Sequence, residues 1–257
     1  MSLPTWTPAA LSSEARRYAA TCWRVVEAQH VASTMKLVDT PEEQALLEDI
    51  LEETKPPVPA ECAGLHYLLF TPFRYRNRHG GSRFRPPDEP RGVFYAAEHL
   101  RTALCEAAFW RLLFFLESPE TPWPSNPLEH TAFKVKVDAS CGIDLTQPPF
   151  DAHEALWTQP ADYAACQQLA RQAREAGINA IRYRSVRDQQ AGACNVALLA
   201  CDALAGSAPL RMQSWKLLPG AYGVLLLRDG HPRERFTLPP DHFANDPRFH
   251  DMRWQRH

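Results

Sequence analysis

The sequence has no C-x-x-C pair, no G-x-G-x-x-G loop, no H-E-x-x-H motif and no G-x-S-x-G elbow. Each absence removes a class of chemistry. Seven cysteines (Cys22, Cys62, Cys105, Cys141, Cys166, Cys194 and Cys201) are odd in number and widely spaced, which suggests neither a disulfide framework nor a zinc ribbon. Ten histidines invite a metal reading, but His153-Glu154 continues as Ala155-Leu156-Trp157, so the zinc-helix pattern fails. Net charge is also scarce: 28 Lys and Arg against 30 Asp and Glu give -2. Such a chain offers no global field for a polyphosphate backbone, and nucleic acid is not an expected partner. Nor is there a long apolar run. Glu14, Arg16, Arg17 and Arg24 interrupt every stretch of signal-peptide type, nothing later approaches a membrane span, and the expected location is cytoplasmic.

What is present is a chain of 257 residues, 45% hydrophobic, enough to bury a substantial core. Its 23 prolines punctuate it. Ser12 and Ser13 are read as caps of a first helix through Met35, and Thr40-Pro41-Glu42-Glu43 as the start of a second that runs to about Glu53. The run Lys55-Pro56-Pro57-Val58-Pro59 then stops it. Between two further proline-rich stretches lie a strand-like piece, Val93 to Ala97, and a helix-like piece, His99 to Leu116. Strands are expected at Thr131–Val137, Ala180–Tyr183, Val196–Ala200, Met212–Leu217 and Val224–Leu227, with a helix from Ala161 to Glu175 ending at Gly177. Without a regular βαβ rhythm, the pattern predicts an α+β fold. It divides into a helical N-terminal extension (residues 1–60), a central domain (61–230) and a polar, loosely packed tail (231–257).

The stretch with most chemical content is the second half of this central punctuation. From Leu100 to Leu116 the helix is apolar on almost every face, and Glu106 is the lone acid in its middle. A carboxylate there either faces a cleft or marks an exposed edge of a buried helix. Tyr95, on the preceding strand, lies opposite to Phe94 and Ala96, and is either core or a platform for an aromatic ligand. Upstream, Arg74-Tyr75-Arg76-Asn77-Arg78 and Gly80-Gly81-Ser82-Arg83 combine guanidinium groups with glycines, a solvated loop or a phosphate cradle. Ser185 closes the strand that begins at Ala180, on the same face as Ile181 and Tyr183, and a polar loop leads on to Gly192 and Asn195. With no elbow around it, Ser185 is a hydrogen-bonding candidate or a plain strand-end serine, not a nucleophile.

Three stretches taken in order, Gly81-Ser82-Arg83-Phe84, Val93-Phe94-Tyr95-Ala96-Ala97-Glu98 and Thr102-Ala103-Leu104-Cys105-Glu106, resemble the RES domain, named for its Arg, Glu and Ser. Ile181-Arg182-Tyr183-Arg184-Ser185-Val186-Arg187, followed by Gly192 and Asn195-Val196-Ala197-Leu198, is similar to that domain's serine region. The likeness spans roughly His66 to Leu227, with Phe84 where an indole is common and a slightly long loop between Arg83 and Tyr95.

The resemblance implies a fold similar to ADP-ribosyltransferase toxins, with a mixed, mainly antiparallel sheet and flanking helices. It implies NAD as substrate, consumed by cleavage of its nicotinamide-ribose bond, with no bound cofactor or metal and with inorganic phosphate or water as acceptor. It also implies an Xre-type helix-turn-helix antitoxin that blocks the site. Carried over residue by residue, Arg83 and Arg74 would hold the pyrophosphate and Tyr95 would pack on nicotinamide. Glu106 would stabilise the charge on ribose, and Ser185 and Asn195 would hydrogen-bond ribose or the carboxamide. Transfer of ADP-ribose to a protein, and a non-catalytic interaction module, are the competing readings. An RNA-cutting toxin would call for a basic groove that the charge does not suggest.

Overall fold

A computed structural model describes residues 6–28, 37–75 and 81–255. Its described residues build one eight-stranded sheet: β1 (Arg16–Glu27), β2 (Phe94–Ala97), β3 (Leu128–Asp144), β4 (Ala180–Arg184), β5 (Cys194–Leu198), β6 (Arg211–Gly220), β7 (Gly223–Arg228) and β8 (Arg235–Leu238). The order is β1-β2-β5-β4-β3-β6-β7-β8, and β1 also pairs with β3. All pairs are antiparallel except β3 with β4, the mixed, mainly antiparallel sheet expected from the sequence.

The extra pairing has a large effect. Strand β3 is long enough to offer one edge to β1 and to share the other between β6 and β4, so β1, β2, β5, β4 and β3 close into a ring. One apolar cluster draws buried side chains from all five: Cys22, Phe94 and Ala96, Phe133, Val135 and Val137, Ala180, and Val196 and Leu198. Leu68 and Leu69 of α3 (Tyr67–Arg74) join it. Strands alternate their side chains, so the opposite faces are left for two further clusters.

Helix α4 (Leu100–Glu117) covers the first of these faces with Ala103, Leu104, Ala108, Phe109, Leu112, Leu113 and Phe115, against Trp23, Ala132, Trp215 and Leu217. The second face is covered by α1 (Pro8–Glu14), α5 (Glu154–Trp157) and α6 (Ala164–Glu175), through Leu11, Trp157, Leu169, Ala170 and Ala173 against Ile143, Ile181 and Tyr183. α6 ends where Gly177 takes φ +72°, the left-handed turn that glycine accepts without strain. Tightest of all is Gly92, where a Cβ would lie 1.9 Å from the Pro72 carbonyl oxygen, so no other residue lets α3 meet the start of β2. At the corner between β2 and α4, Glu98 is gripped by Arg182 of β4 through Nε to Oε1 (2.7 Å) and Nη2 to Oε2 (3.0 Å). The Tyr18 hydroxyl of β1 donates to the same carboxylate (2.8 Å).

Two expectations need correction. The helix read from Ser12 through Met35 is a seven-residue helix that ends at Glu14, followed by the twelve-residue strand β1; its last part, residues 29–36, lies outside the described residues. The cap is Thr7, whose hydroxyl accepts from the Ala10 amide, and neither Ser12 nor Ser13 caps it. Eleven pairs with β3 override the local helical preference of an Ala- and Arg-rich segment. The tail is the second correction: β8 pairs with β7, and Phe243, Phe249 and Met252 are buried in the cluster beneath α4. The second helix forms as read, α2 (Pro41–Glu53), with the Thr40 hydroxyl accepting from the Glu43 amide.

Candidate functional site

A cavity of about 340 Å³ opens between β1, β2, the start of α4 and the loop that follows β4. That volume falls in the range of small-ligand pockets. Of the residues singled out in the sequence, Arg83, Tyr95, Glu106 and Asn195 line it. Glu106 projects from the second turn of α4, partly exposed, flanked on the helix by the buried Ala103, Cys105 and Phe109. Its Oε1 accepts two hydrogen bonds, from Asn195 Nδ2 at 2.7 Å and from the Ser185 hydroxyl at 3.0 Å. A carboxylate so held is fixed in direction, with both bonds on one oxygen.

Ser185 stands behind the carboxylate and does not line the cavity. Its oxygen accepts the amides of Arg187 (3.2 Å) and Asp188 (3.1 Å) while its proton goes to Glu106, so the hydroxyl orients the acid and is not free for a ligand. Asn195 is 3% exposed, and its Oδ1 has no hydrogen-bond partner although buried. An acceptor in that state at a cavity wall is suited to a donor brought by a ligand.

Tyr95 lines the cavity, while its hydroxyl meets Ser82 Oγ at 2.8 Å and accepts the Phe84 amide at 2.9 Å. Burial pushes the phenol up to about 12, which keeps it protonated. Arg83 is 8% exposed; its guanidinium donates to the carbonyls of Trp157 (2.6 Å) and Gln159 (2.9 Å) and lies 4.7 Å from the Tyr163 ring centroid. It lines the cavity as a cation fixed in place by neutral partners.

Arg74 is not brought to this site. It sits at the end of α3, pairs with Glu52 at 2.6 Å, donates to the Pro56 carbonyl and lines a separate cavity beside Pro56–Glu61. Its neighbours in the sequence cluster, Arg76, Asn77, Arg78 and Gly80, lie outside the described residues.

Two cationic residues escaped the sequence reading. Arg24 of β1 lines the cavity with one nitrogen on the Tyr95 carbonyl (2.6 Å), its guanidinium 5.0 Å above the Phe94 ring and its Nε buried without a partner. Burial pushes it down to about 10, still charged at neutral pH. Reading β1 as helix hid it, because only as a strand does this segment pair with β2, within reach of the Tyr95 carbonyl. Arg187 is the second; it lies in the Arg187-Asp188 loop that the sequence marked only as polar. Three guanidiniums around one carboxylate make a site suited to an anionic substrate on which positive charge develops near Glu106.

No curated protein matches the chain. Among solved structures, a chain in the crystal structure of the M. tuberculosis MbcT-MbcA toxin-antitoxin complex matches with 16% identity and a TM-score of 0.50, over 85% of this chain and 95% of that one. At that identity the likeness speaks for the fold. The RES domain family model matches residues 58–219, which hold Arg83, Tyr95, Glu106, Ser185 and Asn195, and the chain therefore belongs to the RES domain family.

Proposed function

We propose that the protein is an NAD-consuming enzyme, the toxin of a toxin-antitoxin pair, which breaks the nicotinamide-ribose bond. The observation that carries this reading is Glu106 Oε1 held by Ser185 and Asn195 at the wall of a cavity that also presents Arg24, Arg83 and Arg187. Departure of nicotinamide leaves oxocarbenium character on the ribose, and a preoriented carboxylate stabilises charge that exists only in the transition state. Glu106 takes that task. The guanidiniums of Arg83 and Arg24 face the pyrophosphate, and the Tyr95 ring packs on nicotinamide. The unpartnered Asn195 Oδ1 is an acceptor for a ribose hydroxyl or the carboxamide. NAD is substrate and not resident cofactor, and the acceptor of ADP-ribose is phosphate or water. The partner is an Xre-type helix-turn-helix antitoxin that covers the cavity mouth, where Trp110 is half exposed. The similar solved structure is of a toxin-antitoxin complex, which supports such a partner. Among the described residues no helix is long and apolar enough to cross a membrane, in keeping with action in the cytoplasm.

The test is nicotinamide release from NAD by the purified protein beside Glu106→Gln, with and without phosphate. We expect release by the wild type, reduced by about 10²–10³ in the variant, the scale of losing one preorganised electrostatic group. Release that depends on phosphate identifies phosphorolysis, and release without it identifies hydrolysis. Release only after a protein acceptor is added would turn the reading to protein ADP-ribosylation, and none in any condition would leave a binding module.

A further inference from the structure

The direction of Glu106 depends on Ser185, and Ser185 depends on the turn that brings the amides of Arg187 and Asp188 onto its oxygen. That turn is gripped from two sides. Asp188 is held by α4, through the Thr102 hydroxyl (2.8 Å) and Arg101 Nε (3.4 Å). Arg187 is held by the segment after β8, which lies beyond the residues matched by the family model. Its Nη1 donates to Asp246 Oδ2 at 2.6 Å, between side chains 5% and 2% exposed. The Arg187 carbonyl lies 3.0 Å from His242 Nε2, and Gln189 donates to the His242 carbonyl.

Around Arg187 the charges are uneven. Its guanidinium lies 3.6 Å from the Phe109 ring centroid, and Arg248, which shares Asp246, lies 5.1 Å from the same ring. Arg83 adds a further cation near by, and Glu106, as well as Asp246, acts on Arg187. A buried guanidinium whose counterion is removed is left as an uncompensated charge. With Asp246 neutral, Arg187 keeps the uncharged Pro160 carbonyl (2.7 Å) and Tyr163 hydroxyl (3.3 Å) but loses the ion partner in contact with it, and the turn loses its anchor on the segment after β8.

We infer that Asp246 is a positioning residue for the reaction: it anchors the Arg187 guanidinium and thereby fixes the Ser185 turn that directs Glu106. The inference rests on the NAD-cleaving reading for its kinetic consequence and not for its structural one. Asp246→Asn keeps the shape and removes the charge. Nicotinamide release should show kcat lowered at least about tenfold with KM changed less than about threefold, and Asp246→Glu should recover most of the loss. Amide hydrogen exchange at Arg187 and Asp188 should accelerate in Asp246→Asn. The control is Trp254→Ala, which loosens the same segment at the stacked Trp123 without touching the turn; it should lower the melting temperature and leave kcat unchanged. A folded Asp246→Asn with wild-type kcat and unchanged exchange would overturn the inference, and so would a loss of kcat in the control equal to that in Asp246→Asn. Should the wild type release no nicotinamide, the functional reading falls, and exchange alone decides the clamp. Should Asp246→Asn fail to fold, His242→Ala removes a different contact of the same clamp, and unaltered exchange there counts against it.

Discussion

The Ser82 hydroxyl and the Tyr95 hydroxyl share a 2.8 Å hydrogen bond, which ties the loop carrying Arg83 to the strand beside α4. Because the same phenol oxygen accepts the Phe84 amide, one atom sets the height of that loop over the cavity. Tyr95→Phe leaves a buried N–H without an acceptor, and the expected cost is about 2 kcal/mol in urea unfolding. Arg83 moves with its loop, so KM for NAD should rise several-fold with a smaller change in kcat.

Ser185 and Asn195 act on the same oxygen of Glu106, so their removals should not add. A double-mutant cycle of Ser185→Ala and Asn195→Ala, read as nicotinamide release, should show a coupling energy of about 0.5–3 kcal/mol. Independent effects would mean that the two residues contact the substrate separately. Ser185→Ala alone also strands the Arg187 and Asp188 amides, and should destabilise by about 2–3 kcal/mol.

The N-terminal helix is part of the domain and not an appendage. Leu11 is fully buried against the cluster shared with α6, and Leu11→Ala should cost about 2–4 kcal/mol in denaturant unfolding. A loss below about 0.5 kcal/mol, the scale of a surface substitution, would show that α1 docks only loosely.

Burial raises the Glu98 carboxyl, but the hydrogen bonds from Arg182 and Tyr18 outweigh it and hold the group below its ordinary 4.5. A depressed carboxylate stabilises the fold above its unfolded value, and that contribution disappears as pH falls through the folded value. Stability measured in urea should therefore drop from pH 5 toward pH 3, and Glu98→Gln should flatten that slope. An unchanged slope would mean that other carboxylates govern acid unfolding.

Local pattern was enough for the centre of the molecule. Leu100–Glu117 is helical because its residues are good helix formers without an internal break, and Glu106, the acid in its middle, does face a cavity. Tyr95 and Ser185 could be placed by strand alternation alone. Two kinds of information were not local. β1 is a strand because of a partner more than a hundred positions away, and with it Arg24 was hidden. The tail reads as polar, yet Phe243, Phe249 and Met252 are buried from short turns with no regular period to reveal them. Arg74 failed for the opposite reason: a basic cluster in sequence did not become a cluster in space, because Glu52 of α2 lay nearer.

The cavity gathers its wall from Arg24 near one end of the chain to Asn195 and Arg187, and the grip on Arg187 comes from Asp246. A ribosome that has reached Glu106 has made an acid without its amide partner, and one that has reached Asn195 still lacks the counterion of Arg187. Under the proposed function, a nascent chain lacks a complete site until Asp246 has been made, and a product cut short before that residue is born inert.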